Sequence, residues 1–144
     1  MKIVIASGGF DPLHIGHLKY LREASLLGDL LVVGVNSDAW VIRKKGNYFL
    51  PYQERSIIVG HLNMVNAIME FDDQDGTALD LLRRVRDRFP YPNRLIVANG
   101  GDRTSLNNAE SSFVDEYCDF VFGVGGTIKD NASSLILKRW KDLS

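Results

Sequence analysis

Short, continuous runs of apolar and β-branched residues alternate with helix-patterned segments along this chain, and that alternation restricts the fold more than any other feature. Strands are predicted at Lys2–Ala6, Leu30–Asn36, Val65–Phe71, Arg94–Ala98 and Asp119–Val124. Leu30 to Val35 is uniformly apolar, as expected of a strand covered on both faces of a parallel sheet. Helices are predicted over Gly16–Leu27, from Asn36-Ser37-Asp38 through Ile42, from near Pro51, over Thr77–Phe89, within Asn107–Asp119 and over Ser133–Lys141. Leu79, Leu82, Val85 and Phe89 form the apolar stripe of the fourth of these. Gly28 is expected to end the first helix. The fold class is therefore α/β: a five-stranded parallel sheet flanked by helices on both faces, in a single domain over residues 1–144.

The first strand runs into Ser7-Gly8-Gly9-Phe10-Asp11-Pro12-Leu13-His14-Ile15-Gly16-His17, just where a helix should begin. Unpartnered N–H groups and the positive end of the dipole gather at such a helix start, which suits a phosphate chain. Gly8 and Gly9 let backbone approach a ligand, and Gly16 keeps the first turn bare. His14 and His17 lie three residues apart and share a helix face, where imidazole donates to phosphate oxygens either neutral or charged. Asp11 is suited to holding a donor or a metal ion.

Composition excludes several classes of function. With 144 residues, 45% apolar and 24% charged, the chain has the balance of a soluble globular domain. A net charge of −1 provides no basic field for nucleic acid. The single Cys118 rules out an intrachain disulfide and a Cys-x-x-Cys metal site. The run Leu30–Val35 is too short to span a bilayer, and the N-terminus enters a strand without a leader-like stretch. A cytoplasmic protein without membrane or nucleic-acid partners is expected.

Other candidates sit where open α/β sheets bind ligands, beyond the strand C-termini. Asn36 and Asp38 can cap a helix or face an acceptor. Arg43-Lys44-Lys45-Gly46 reads as a basic, mobile loop able to close over a triphosphate. Arg55 can grip a phosphate or pair with a carboxylate. Asp72-Asp73-Gln74-Asp75-Gly76 lacks calcium-loop spacing and reads as a solvated turn that caps the next helix. Asn99-Gly100-Gly101-Asp102-Arg103 is a second glycine turn at a strand end. Ser133 and Ser134 open the last helix, where hydroxyls cap or bind phosphate.

The run from Gly9 to His17 resembles the His-x-Gly-His signature of the cytidylyltransferase-like nucleotidyltransferase superfamily. Val35-Asn36-Ser37-Asp38, Lys44-Lys45-Gly46, Gln53-Glu54-Arg55, Gly100-Gly101-Asp102 and Ser133-Ser134-Leu135-Ile136 extend the likeness over nearly the whole chain. In order and spacing they resemble the adenylyltransferase domain of bacterial ADP-heptose synthase and glycerol-3-phosphate cytidylyltransferase. The resemblance implies a Rossmann-like fold and a Mg²⁺-dependent transfer of a nucleotidyl group from ATP or CTP to a phosphorylated acceptor. A sugar 1-phosphate such as heptose 1-phosphate is favoured as acceptor, with pyrophosphate released.

By that resemblance His14, His17, Lys45 and Arg55 are catalytic. Gly8, Gly9, Phe10, Gly16, Lys44, Gly101, Asp102, Ser133 and Ser134 join the histidines in binding the nucleotide. Asp11, Asn36, Asp38 and Arg103 face the acceptor, with Asp11 alternatively near the metal, and no metal-ligand set is assigned to the protein. The segment before the last helix departs from the cytidylyltransferase pattern in lacking its arginine, and Leu135 stands where the heptose enzymes have a hydroxyl. The rivals are a cofactor-type adenylyltransferase, acting on nicotinamide mononucleotide or phosphopantetheine, and a nucleotide-binding module without turnover. A homodimer is possible, with Trp40, Phe49 and Tyr52 as contact aromatics.

Overall fold

The structure is a computed structural model, and it describes residues 1–101, 109–113, 115–126 and 133–143. Strands β1 (Lys2–Gly8), β2 (Leu30–Val35), β3 (Ala67–Ile68), β4 (Arg94–Gly100) and β5 (Cys118–Val124) form one sheet in the order β3-β2-β1-β4-β5. Every neighbouring pair is parallel, with Ile3 opposite both Leu30 and Leu95. The helices are α1 (Ile15–Ser25), α2 (Asp38–Lys45), α3 (Tyr52–Gly60), α4 (Leu79–Arg88) and α5 (Ser133–Leu143). This is the expected Rossmann-like α/β architecture.

Successive strand residues point to opposite faces, so the continuous apolar runs supply two cores at once. Val4, Ala6, Leu31, Val33, Val35, Ile96 and Ala98 pack with Leu21 and Ala24 of α1 on one face. Ile3, Ile5, Val32, Leu95 and Val97 pack with Leu81, Leu82 and Val85 of α4 on the other. Close approach is enforced at Gly34, where a Cβ would stand 2.5 Å from Leu81 and 2.7 Å from Phe71. The chain leaves β1 toward β2 and β3 on one side, while β4 and β5 lie on the other. The C-terminal ends of β1 and β4 therefore border the crevice where the direction of winding reverses.

Several boundaries differ from expectation. Val65–Phe71 was expected to be a full strand, but only Ala67–Ile68 pairs, at the sheet edge. Arg43, Lys44 and Lys45 form the last turn of α2 instead of a mobile loop. Their charges complement the helix dipole, and Gly46 closes the turn at φ 91°. Gly28 is not the cap of α1, whose C-cap is Leu26; a Cβ at Gly28 would meet the Lys2 carbonyl at 2.8 Å. Leu79 is only half-buried in α4, and Leu81 takes its place in the core. In place of a helix over 107–119, the described residues hold a 3₁₀ turn at Ala109–Ser112. No helix among the described residues is long and apolar enough to cross a membrane.

Candidate active site

A cavity of about 470 Å³ opens at the C-terminal edge of the sheet, above β1 and β4. His14, the N-cap of α1, accepts from the Gly16 N–H through Nδ1 at 3.0 Å. His17 Nδ1 accepts in turn from the His14 N–H at 3.2 Å, completing a capping box made of two histidines. With both Nδ1 atoms occupied as acceptors, each neutral ring carries its proton on Nε2. The rings stack with centroids 3.8 Å apart, and Phe10 meets the edge of His17 at 5.1 Å. Burial, then the neighbouring His14 and Lys45 charges, lower the His17 pKa to about 3. His17 is thus a neutral Nε2–H donor at physiological pH, one of the two states expected of it.

Phe10 sits under the loop at φ 51°, with its ring against Gly8, where an added Cβ would come within 3.0 Å of it. Gly8, Gly9, Phe10, Gly16 and Gly101 all border the cavity, as do Lys44 and Lys45. Lys44 Nζ lies 4.7 Å from the centre of the Trp40 ring. Lys45 Nζ donates to the Asp11 carbonyl at 3.2 Å, and burial lowers its pKa despite the opposing pull of Asp11. Ser133 Oγ donates to the Pro12 carbonyl at 2.9 Å, which brings the start of α5 against the first glycine loop; Ser134 also lines the cavity. Asp102 and Arg103 lie outside the described residues.

Arg55, Asp11 and Asp38 are placed differently from expectation. Arg55 is 1% exposed, and its guanidinium is spent on the scaffold. It donates to the carbonyls of Gly9, Asn36 and Leu50 and to Asp38 Oδ1, each at 2.8 Å. It therefore ties the glycine loop to β2 and α3 and is not among the cavity-lining side chains. Asp11, also 1% exposed, accepts from the Phe49 and Leu50 N–H groups at 2.7 and 2.8 Å. It pins the α2–α3 connection and is not among the residues that line the cavity. Asp38 Oδ1 is likewise taken by the Tyr52 N–H and Arg55. Local sequence indicated a charged group at each position, but its partners come from segments as many as 46 residues away.

Asp73 corrects the reading of the acidic turn as solvated. It is buried, and its carboxylate accepts from Asn36 Nδ2, the Ser37 N–H and Ser37 Oγ at 3.1, 2.8 and 2.7 Å. Ser37 Oγ in turn caps α2 through the Trp40 N–H. The turn does not cap α4, whose N-cap is Ala78 with no side-chain bond. Asn36, expected at the acceptor, is held by this network yet still borders the cavity. Of the aromatics expected at a dimer contact, Phe49 is exposed, Tyr52 packs against the core and Trp40 lines the cavity.

The sequence reading missed Tyr20, Thr77 and Glu110 in the cavity wall, while Asn99 of the second glycine turn lines it as that turn's position suggested. Tyr20 lies one helical turn beyond His17 and bonds the Ala98 carbonyl, so its spacing was a usable signal. No local pattern marks Glu110.

The family model described as cytidylyltransferase-like matches residues 5–102, a span that contains both histidines and both glycine turns. The chain belongs to the cytidylyltransferase-like family. This family member is 36% identical over 144 residues to the bifunctional protein HldE of Pelobacter propionicus, covering 96% of this chain and 28% of that protein. It is 37% identical to HldE of Campylobacter concisus, covering 98% of this chain and 27% of that one. The chain thus spans less than a third of the length of these curated relatives. A lipopolysaccharide core biosynthesis protein from Thermoplasma volcanium superposes with a TM-score of 0.55 at 30% identity, over 72% of this chain and 78% of that one. A Vibrio parahaemolyticus protein provisionally described as a nicotinate-nucleotide adenylyltransferase shares the fold, with a TM-score of 0.64 at 16% identity, over 99% of this chain and 88% of that one. That family match places the chain among the nucleotidyltransferases.

Proposed function

We propose that the chain transfers a nucleotidyl group from ATP or CTP to a sugar 1-phosphate such as heptose 1-phosphate, with release of pyrophosphate. The observation that carries this reading is the histidine pair. Two rings stack at 3.8 Å, each holding its proton on Nε2, in a cavity that also receives Lys44 and Lys45. Imidazole N–H donors and lysine cations together suit a triphosphate, whose charge shifts onto the departing pyrophosphate as the reaction proceeds.

An acceptor phosphate oxygen bonds to the α-phosphorus, and the bond from the α-phosphorus to the bridging oxygen breaks with its electron pair leaving on pyrophosphate. No proton need move, so the protein acts by positioning and charge stabilisation. His14 and His17 donate to phosphate oxygens, and Lys45 follows the leaving group. Ser133 and Ser134, at the start of α5, bind the outer phosphates.

Mg²⁺ fits this scheme as a companion of the nucleotide. Among the described residues no group of three His, Cys, Asp or Glu side chains could hold a metal ion, and Asp11 is already committed to backbone N–H groups. Phosphate oxygens and water are the ligands this ion prefers, and when bound it neutralises charge on the triphosphate.

A sugar acceptor is supported by the similarity to HldE proteins and to the Thermoplasma volcanium protein described as acting in lipopolysaccharide core biosynthesis. The test is pyrophosphate release with Mg²⁺ from ATP, CTP, GTP or UTP. Each is paired with heptose and hexose 1-phosphates, glycerol 3-phosphate, nicotinamide mononucleotide and phosphopantetheine. The expected result is release with ATP or CTP and a sugar 1-phosphate, abolished in His17→Ala. Turnover with a non-sugar acceptor alone would overturn the acceptor assignment, and nucleotide binding without turnover on any pair would overturn the enzymatic reading.

A further inference from the structure

We infer that Asp73 is a positioning residue whose buried carboxylate locks the Asn36 amide with Oδ1 toward the cavity, where it receives a ligand hydroxyl. The inference rests on the nucleotidyltransferase reading above and deepens it. Asn36 directly follows β2, and its backbone is pinned on both sides. Its N–H donates to the Gly8 carbonyl at 2.9 Å, and its carbonyl accepts from Arg55 at 2.8 Å. Only the side-chain amide is left with two orientations, and Asp73 decides between them. The Asp73 carboxylate also takes the Ser37 N–H and the Ser37 hydroxyl. Ser37 Oγ accepts from the Trp40 N–H, so its own proton goes to Asp73. A carboxylate that receives these donors offers Asn36 only acceptor atoms, so Nδ2 is the amide atom that faces it, at 3.1 Å.

Asn36 Oδ1 then stands on the side away from Asp73. It takes no hydrogen bond among the described residues, none of whose buried side-chain nitrogens and oxygens lacks a partner. Oδ1 is therefore not buried, although Asn36 as a whole is only 7% exposed, and the open surface that this residue lines is the cavity. Lys44 and Lys45 line the same cavity from α2, the helix that follows Asn36. A lone acceptor atom repels phosphate oxygens, and the two lysines repel a cationic donor. A neutral hydroxyl satisfies both conditions, whether it belongs to the acceptor or to the ribose of the nucleotide. An amide free to turn would present Nδ2 instead and bind a phosphate oxygen, so the selection depends on the carboxylate behind it. Sites that read a hydroxyl reject the deoxy analogue strongly, because a polar group is left unpaired.

The experiment measures pyrophosphate release with Mg²⁺ for the wild type, Asp73→Ala and Asp73→Asn. One series pairs ATP and CTP with heptose 1-phosphate, glycerol 3-phosphate and their singly deoxygenated analogues. A second pairs the 2′-deoxy and 3′-deoxy nucleotides with the intact acceptors and with nicotinamide mononucleotide. One deoxy analogue should cost the wild type about tenfold or more in kcat/KM. It should cost Asp73→Ala less than about threefold, because the amide is then free to turn. Asp73→Asn should keep the wild-type loss, since the Ser37 N–H holds the new amide oxygen where it still accepts from Asn36. The series in which the loss falls tells an acceptor hydroxyl from a ribose hydroxyl. A purely structural role would slow both members of each pair together and leave their ratio unchanged. If Asp73→Ala does not fold by circular dichroism, Asp73→Ser, whose oxygen stops one bond short of Asn36, is measured against the same criteria. A loss that persists in the variant, or a wild type indifferent to every deoxy analogue, would overturn the role of Asp73 and leave the nucleotidyltransferase reading standing. A wild type silent with every acceptor would overturn that reading and this inference with it.

Discussion

His17 provides a thermodynamic handle on the site that needs no substrate. Its pKa falls from 6.5 to about 3 on folding, chiefly because the ring is buried, then because of His14 and Lys45. A histidine with a depressed native pKa stabilises the fold above 6.5, and that contribution is lost as pH falls toward 3, because the unfolded chain binds the proton first. At pH 4.5, two units below the unfolded value, the loss is about 2 to 3 kcal/mol. The perturbation is His17→Asn, whose side-chain oxygen can still accept the His14 N–H but does not titrate. Urea unfolding at pH 7.0 and pH 4.5 measures both proteins. Asp119, held low by its hydrogen bond from Arg94, also makes the fold less stable as pH falls, but it does so in both proteins and cancels. The wild type should therefore lose about 2 to 3 kcal/mol more than the variant. Parallel losses would refute the conclusion that the fold holds His17 neutral.

Three further substitutions test the scaffold and the cationic wall. Arg55→Lys cannot serve Gly9, Asn36, Leu50 and Asp38 together and should cost about 3 to 5 kcal/mol, lowering Tm by roughly 10 °C in a thermal melt; an unchanged Tm with lost nucleotide affinity would make Arg55 a ligand contact instead. Gly34→Ala drives a methyl into Leu81 and Phe71 and should cost about 1 to 3 kcal/mol by urea unfolding. Lys45→Met keeps the apolar stem and should lower kcat/KM for the nucleotide by about a hundredfold or more with little change in Tm, as steady-state pyrophosphate release would report.

By itself the sequence determined the layered architecture and the address of the site. Continuous apolar strands can be satisfied only by cover on both faces, and a glycine loop with two histidines at a helix start has few other uses. His14, His17, Lys45 and Ser133 duly meet around one cavity. These features were legible because periodicity and capping are local, acting over three or four residues. What only the tertiary structure decided is which charged groups face the ligand and which are consumed by the scaffold. Asp11, Asp38, Arg55 and Asp73 carry charges as suggestive as Lys45, yet all four are bonded to chain segments brought to them by folding. Glu110 shows the converse, since no motif surrounds it and it joins the cavity through the start of α4, 32 residues earlier in the chain. A buried charge takes whichever partners the fold places beside it, and that choice is made by packing between distant segments rather than by spacing along one of them.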